Sequence, residues 1–422
     1  MEQFISQKKR VVITGLGAIT PVGSDVNTFW ENMKAGKSGA DVISRFDTDR
    51  YPSRIACEVK DFNPTDWLKR KTAKRLSRST HFAVASAKQA FADSMLEITD
   101  ENASSVGVVF NSGGGGINHM EDATKLFEKK GPRTVSPFLV TNIMLNAASC
   151  SVSLELGTTG PLNTSALACA SGNYALLDAY HMIQRGEAKV IIAGGTEAVI
   201  SPLIMAAFGR MQALSKRNND PQRASRPFDK NRDGFVFGEA AAAFVLETEA
   251  HAKARGARIY AEVLGGRLTS DAFHLTAPEP EGRGAIAALS GTLVNCGKTI
   301  TDVDAIFAHG TSTPLGDTAE TTALKKVFGD HAYQIPVTST KSQIGHTLGA
   351  AGAISALAAV KGIEDGMICP TINYETPDPE CDLDYVPNEA RACDINLALV
   401  NAFGFGGQNV VVAIGRYNHP SR

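Results

Sequence analysis

No two of the seven cysteines (Cys57, Cys150, Cys169, Cys296, Cys369, Cys381 and Cys393) form a CxxC pair, and their number is odd. A disulfide framework is therefore not expected, and a reducing, cytoplasmic setting is. No apolar run in the chain approaches the ~20 residues of a membrane span. The start, "MEQFISQKKRVVITGLGAITPVG", is basic and then apolar. Its apolar part is short, broken by glycine and without a small-residue cleavage pattern, so it reads as a first β-strand and not as a signal peptide. Charge of one sign is also missing: 42 Lys+Arg against 44 Asp+Glu leave a net charge of −2. Nothing global draws such a chain to nucleic acid or to a membrane.

Intact ligand-loop motifs are missing too. In "TGLGAIT" the third glycine of a dinucleotide fingerprint is replaced by Thr20, and Pro21 follows. "NSGGGGIN" lacks the Gly-Lys-Ser/Thr of a phosphate loop, and Gly113 to Gly116 read as a turn or a close backbone approach. "DKNRDGFVFGEA" sets Asp229, Asn231, Asp233 and Gly234 as a calcium loop does, but Ala240 stands where the bidentate glutamate belongs.

What is present is a long apolar α/β pattern. The chain has 422 residues, 43% of them hydrophobic, which is ample for a core. Val/Ile-rich runs such as "RVVITGLG", "SVGVVFNSG", "KVIIAGG", "AIFAHG" and "LALVNAFGFGG" alternate with helix-like segments such as "HFAVASAKQAFADS" and "AAGAISALAAVKGIEDG". That alternation predicts an α/β fold with largely buried sheets. The plan also looks duplicated. "LNTSALACASGNYALLDAYHMIQRGEA" and "IPVTSTKSQIGHTLGAAGAISALAAVKGIEDG" share an apolar lead-in, a Thr-Ser pair, small residues and a helix ending near glycine. Two strand-turn-helix units of similar style would give the same pattern. No Pro/Ser-rich linker occurs, and a break is expected near "YAEVLGGRLTSDAFH", dividing residues 1–260 from 261–422.

Cys169 is expected where the strand "LNTSAL" ends and a helix from Ser171 begins. A thiol there gains acidity from unpaired N–H groups and the helix dipole. Ala168, Ala170 and Gly172 leave room for a sharp turn and a substrate. The other cysteines read as buried and structural. His309, closing "AIFAHG", and His346, five residues after Lys341, are set among Gly, Ser and Thr at strand or loop ends, where active-site groups emerge. No metal-ligand spacing surrounds them, and no metal site is expected. "DWLKRKTAKRLSRST" gathers Lys69, Arg70, Lys71, Lys74, Arg75 and Arg78, either as a solvated helix face or as a dock for an acidic partner.

Taken together, "ACASG", "SRPFDKNRDGFVFGE", "HGTSTPLGD", "STKSQIGHTLGAAG" and "FGFGGQN" make the chain resemble the β-ketoacyl-acyl carrier protein synthases over nearly its whole length. The type II elongating condensing enzymes are the most similar branch. The resemblance implies the thiolase fold, two duplicated α/β halves in a five-layered αβαβα arrangement, and a homodimer. It implies a catalytic set of Cys169, His309, Lys341 and His346, with Glu320 holding Lys341 and Asp317 also in support. It implies an oxyanion hole from the N–H groups of Cys169 and Phe405, with Phe405 and Phe403 gating the acyl pocket. Thr311 and Thr313 would bind the pantetheine arm, and Ile117 and Phe208 would line the acyl pocket. Lys71, Lys74 and Arg75 would receive the acidic acyl carrier protein. No cofactor is implied beyond the phosphopantetheine that the carrier brings. A structural monovalent cation is left open, as are chain length and the carrier served. Two departures are Ala240, where many members have Gly, and Gln408, where Thr is common.

Related classes are separated by single features. Biosynthetic thiolases carry a second cysteine in the C-terminal loop, which reads "NAFGFGGQN" here. Initiating synthases use Asn where this chain has a second His. A chain-length-factor partner lacks the nucleophile. A polyketide-type ketosynthase or a type I elongation synthase shares the whole set and stays open as the alternative.

Overall fold

The computed structural model describes residues 9–418. The basic opening of the chain, residues 1–8, lies outside them. The apolar run after it forms β1 (Val11–Ile19), buried along its whole length. It is followed in the first half by β2 (Val106–Asn111), β3 (Leu162–Asn163), β4 (Val190–Glu197) and β5 (Ala240–Thr248). The second half contributes β6 (Ala261–Ser270), β7 (Ala305–Phe307), β8 (Val337–Thr338), β9 (Leu397–Gly404) and β10 (Gln408–Gly415). These form one ten-stranded sheet in the order β8-β7-β9-β10-β6-β1-β5-β4-β2-β3.

The pairing repeats. In the first half β1–β5 and β5–β4 are antiparallel, whereas β4–β2 and β2–β3 are parallel. In the second, β6–β10 and β10–β9 are antiparallel, whereas β9–β7 and β7–β8 are parallel. The halves join where Val11, Val12 and Ile13 of β1 pair with Val263, Glu262 and Ala261 of β6. The boundary expected between residues 260 and 261 falls where β6 begins, the strand through which the second half continues the sheet. The duplication suggested by the sequence is a repeat of topology.

Six helices complete the layers: α1 (Arg78–Asp93), α2 (Ala147–Leu156), α3 (Ser171–Arg185), α4 (Arg283–Cys296), α5 (Pro314–Phe328) and α6 (Ala351–Asp365). Helices α1 and α2 cover the outer face of the first half, and α4 with α5 that of the second. Between the half-sheets lie α3 and α6, packed on each other and on strands of both halves. The result is the five-layered α/β thiolase arrangement. The sequence of α6 explains its place: Ala351 to Ile363 are all buried, and most are small or aliphatic. A helix apolar on all sides is stable only when enclosed.

The lead-in to Cys169 differs from expectation. Only Leu162 and Asn163 form strand. Past them, side chains capture the backbone: Asn111 Oδ1 accepts from Ser165 N at 2.9 Å, and Ser171 Oγ accepts from Leu167 N at 2.9 Å. Local polar side chains compete here with a sheet ladder and win.

Candidate active site

Cys169 is the middle residue of a 3₁₀ turn, Ala168–Ala170, that runs directly into α3. Ala168 has φ 46°. A left-handed alanine costs ~1 kcal/mol or more, held here by the enclosing turn. The thiol is 4% exposed. Burial pushes it up to about 11, against the helix-terminus expectation; the Phe405 N–H, the Lys341 charge and its own N–H favour the thiolate, and Glu197 opposes it. Desolvation outweighs the stabilising groups.

His309 follows β7. Its backbone N–H donates to Glu320 Oε1 at 2.9 Å, Gly310 N to Oε2 at 2.7 Å, and Asn401 Nδ2 to Oε1 at 2.9 Å. Glu320 thus fixes the His309 loop and reaches Lys341 by charge. The expectation that it would hold Lys341 is corrected to this extent: its oxygens are occupied by backbone and amide donors. Asp317 repeats the device one turn away, accepting from Thr311 N (2.9 Å), Ser312 N (3.1 Å) and Phe228 N (2.8 Å). Burial pushes the Asp317 carboxyl up to about 6.

Lys341 opens the short helix Lys341–Ile344 and is buried. Burial pushes its amine down to about 8, opposed by Glu320, Cys169 and Asp317. His346 N donates to Val236 O at 2.7 Å, and its ring meets those of Phe235 (5.2 Å) and His309 (5.4 Å, 84° between planes). Both imidazoles are held well below 6.5, by burial first and then by Lys341. They are neutral at physiological pH. Neither Nδ1 has a hydrogen-bond partner among the described residues. Each ring therefore carries its proton best on Nε2 and offers it to the cavity.

That cavity, about 400 Å³ and mostly apolar, is lined by Cys169, His309 and His346 together. Phe403 and Phe405 line it as well, as do Phe208, Thr311 and Thr313. Phe208 stacks on Phe405 at 6.1 Å, Phe403 leans on His309 at 5.7 Å, and the two threonine hydroxyls are 2.9 Å apart. Gly406 and Gly407, at φ 85° and 76°, give the loop after Phe405 a path closed to larger residues. Ile117 is not brought in: it starts the helix Ile117–Lys130, is 40% exposed and lies outside the cavity lining.

The basic stretch is split into a short helix, Arg70–Ala73, and the start of α1. Lys71, Lys74 and Arg75 are exposed, with Arg75 over the Phe138 ring at 4.3 Å. Arg78 turns inward to the buried Glu239 at 2.6 Å. In the calcium-like loop, Asp229 is taken by Arg226 and by the N–H groups of Asn231, Glu375 and Thr376. Among the described residues no cluster of acidic, His or Cys side chains is arranged to hold a metal, and no helix is long and apolar enough to cross a membrane. Ala240 pairs with Glu197 across the β4–β5 ladder, and Gln408 stands opposite Gly404.

Sequence reasoning passed over Asn401, Phe235 and Glu197. The first lies in the quoted "NAFGFGG". The last had a visible signal: an acid ending the apolar run "KVIIAGGTE".

A duplicated sheet with a buried thiol and two histidines on one cavity defines the thiolase-fold class. Residues 8–252 match the description "Beta-ketoacyl synthase, N-terminal domain", and residues 260–375 match "Beta-ketoacyl synthase, C-terminal domain". The chain belongs to the beta-ketoacyl synthase family, the acyltransferases that act as condensing enzymes. It is 49% identical over 411 residues to a Synechocystis sp. protein named 3-oxoacyl-[acyl-carrier-protein] synthase 2, covering 97% of this chain and 99% of that one. A Staphylococcus aureus protein of the same name is 46% identical over 413 residues, 98% of this chain and 100% of its own. Among solved structures, a beta-ketoacyl synthase from Burkholderia phymatum superposes with TM-score 0.90 at 35% identity, over 97% of this chain and 100% of that one. A type II polyketide ketosynthase, solved with its acyl-carrier protein and bound to the hexaketide, gives TM-score 0.90 at 34% identity, over 98% and 100%.

Proposed function

We propose that this protein catalyses the elongation step of fatty acid biosynthesis: acyl-acyl carrier protein and malonyl-acyl carrier protein condense, with loss of CO₂, to β-ketoacyl-acyl carrier protein. The observation that carries the reading is the convergence of Cys169 and two neutral imidazoles on one apolar cavity, with the Phe405 N–H at the thiol.

In the first half-reaction Cys169 Sγ attacks the acyl thioester carbonyl. The N–H groups of Cys169 and Phe405 receive the developing oxyanion. The carrier's pantetheine thiol leaves with the proton that Cys169 gives up. In the second, the bond from the malonyl α-carbon to its carboxylate breaks and CO₂ departs. The enolate oxygen left behind is held by the Nε2–H groups of His309 and His346, while the Lys341 charge favours the anion. Neutral donors suit this task, because they stabilise the enolate without protonating it. The α-carbon attacks the acyl-Cys169 carbonyl, and Cys169 leaves as thiolate and takes a proton from water to become the thiol again. Thr311 and Thr313 line the route of the pantetheine arm. Phe405, Phe403 and Phe208 bound the acyl chain. No step calls for a cofactor of the enzyme's own.

Lys71, Lys74 and Arg75 present cations to an acidic carrier protein. Seven cysteines, odd in number and without a CxxC pair, suit a reducing cytoplasm. The chain forms a homodimer through the face around residues 117–162. In support, Met120, Phe127, Val140, Met144 and Leu154 are exposed there, and β3 is one of the two end strands of the sheet. Residues 1–260 and 261–422 form the two halves of the repeat.

A polyketide-type ketosynthase would use the same cavity. The higher identity to the 3-oxoacyl synthases, 49% and 46% against 34%, favours the fatty-acid reading. The test is intact mass after incubation with acyl-acyl carrier protein. The wild type is expected to gain the mass of the acyl group, and Cys169→Ala to gain none. A gain retained in Cys169→Ala, or none in folded wild type, would overturn the assignment.

A further inference from the structure

The glycine run Gly113–Gly116 and the buried Glu197 take no part in the chemistry above, yet they meet beneath the nucleophile. Glu197 ends β4, is 0% exposed and forms no ion pair among the described residues. Every group on its carboxylate is a donor. Oε1 accepts from Ser112 Oγ (3.1 Å) and Gly114 N (3.2 Å); Oε2 accepts from Gly113 N (2.9 Å), Gly114 N (3.1 Å) and Gly349 N (3.1 Å). A buried carboxylate without a counter-ion is costly, and burial pushes this one up to about 7 against the pull of these hydrogen bonds. Glutamine would turn an NH₂ group toward donors, so only an acceptor-only side chain satisfies the site.

The two segments it ties are in backbone contact with each other and with the Cys169 turn. A Cβ placed on Gly349 would lie 2.3 Å from Gly113 N. A Cβ on Gly113 would lie 3.4 Å from Ala168 O, and one on Gly172, in the first turn of α3, would lie 3.0 Å from Gly349 O. The close approach read from the four glycines is thus an approach of the Gly113–Gly114 loop to Glu197 and Gly349. Two charges act on the thiol, Lys341 and Glu197; the other titratable groups lining the cavity are His309, His346, Glu320, Asp271 and Glu279. The two imidazoles are neutral, and Lys341 and Glu197 are the opposed charges.

We propose that Glu197 is a positioning residue for the nucleophile: its carboxylate fastens the Gly113–Gly114 loop to the Gly349 turn under Cys169, and its charge restrains ionisation of that thiol. This rests on Cys169 being the acyl acceptor. An idle thiol so restrained is protected from oxidation and adventitious alkylation.

The test is the rate of iodoacetamide alkylation of Cys169, followed by peptide mass from about pH 7 to about pH 10. Above its own ionisation Glu197 is charged, so Glu197→Gln should alkylate about three- to tenfold faster at a given pH and shift the curve to lower pH. Condensation should fall in kcat with KM for malonyl-acyl carrier protein unchanged. Glu197→Asp keeps the charge and should restore the wild-type curve. Curves for Glu197→Gln that overlay the wild type, or that lie to higher pH, would overturn the proposal. Ser112→Ala serves if Glu197→Gln does not fold. Loss of that donor raises the Glu197 carboxyl further, so the curve should move the same way by less; an unmoved curve overturns the proposal equally. Alkylation reads the thiol directly, so failure here is distinct from a wild type that gains no acyl mass.

Discussion

The same turn is built twice, and only one copy is reactive. In the first half Ala168–Ala170 forms a 3₁₀ turn, begins with φ 46° at Ala168 and feeds the 15-residue α3, which ends at Gly186 in the left-handed region. In the second half Leu348–Ala350 forms a 3₁₀ turn, begins with φ 41° at Leu348 and feeds the 15-residue α6, which ends at Gly366 in the left-handed region. Cys169 in one corresponds to Gly349 in the other. The first turn faces the cavity and has room for a side chain. The second abuts Gly113 and the Glu197 carboxylate and has none. The duplicated backbone supplies two helix N-termini at the centre of the molecule. Side-chain room decides which becomes the nucleophile's seat, and the other half contributes Lys341 and His346 just ahead of its turn.

The contrast is broken most severely by removing what the second half and its neighbour strand supply. His309→Ala or His346→Ala should lower malonyl decarboxylation by about 100-fold or more each, while acylation of Cys169 persists. Release of CO₂ and intact mass, measured on the same samples, separate the two; unchanged decarboxylation would refute the imidazole role.

A methyl group tests the packing side. Gly349→Ala sets a Cβ against the Gly113 backbone and should destabilise by about 2 kcal/mol or more, read as a lower urea midpoint. Cys169→Gly makes the first turn like the second. It should lose all acylation yet stay within about 1 kcal/mol of wild type, because the site has room and a left-handed neighbour already in place. Equal stability losses in the two variants would mean that the turns are not differently packed.

The smallest expected effect is a pH limb. Lys341 is held down to about 8, and its charged form is the one that favours the enolate. Decarboxylation should therefore decline as pH rises through about 8, not as it falls, since the imidazoles remain neutral throughout that range. Lys341→Arg cannot lose its charge there and should flatten the limb at a lower plateau. A limb that persists in Lys341→Arg would assign it to another group.

Particular residues show how far the sequence carried. Val11–Ile19, Val190–Glu197 and Ala351–Asp365 were legible because runs of buried aliphatics carry their own signal. Cys169, His309, Lys341 and His346 were found by residue type, setting and family motif, and the fold brings the thiol and both rings to one cavity. The strand expected before Cys169 was lost to side-chain capture by Asn111 and Ser171, a contact across 54 residues in the first case. Glu320 was assigned to Lys341, but the hydrogen bonds that fix it come from His309, Gly310 and Asn401. Arg78 was counted with the surface cations, but pairs with a buried acid far along the chain.

By itself the sequence determined the alternation of strands and helices, the apolar centre of the molecule and the chemical types gathered at the site. Those depend on local hydrophobicity, on small residues at turns and on the presence of a thiol, two imidazoles and an amine. The tertiary structure decided the protonation and the pairing. Burial, not sequence neighbourhood, holds the Cys169 thiol high, the two imidazoles neutral and Lys341 near 8. Which donors meet Glu197, and why Gly349 must lack a side chain, follows from segments more than 80 residues apart being pressed together. Desolvation and close approach are properties of the packed molecule, and no stretch of chain contains them alone.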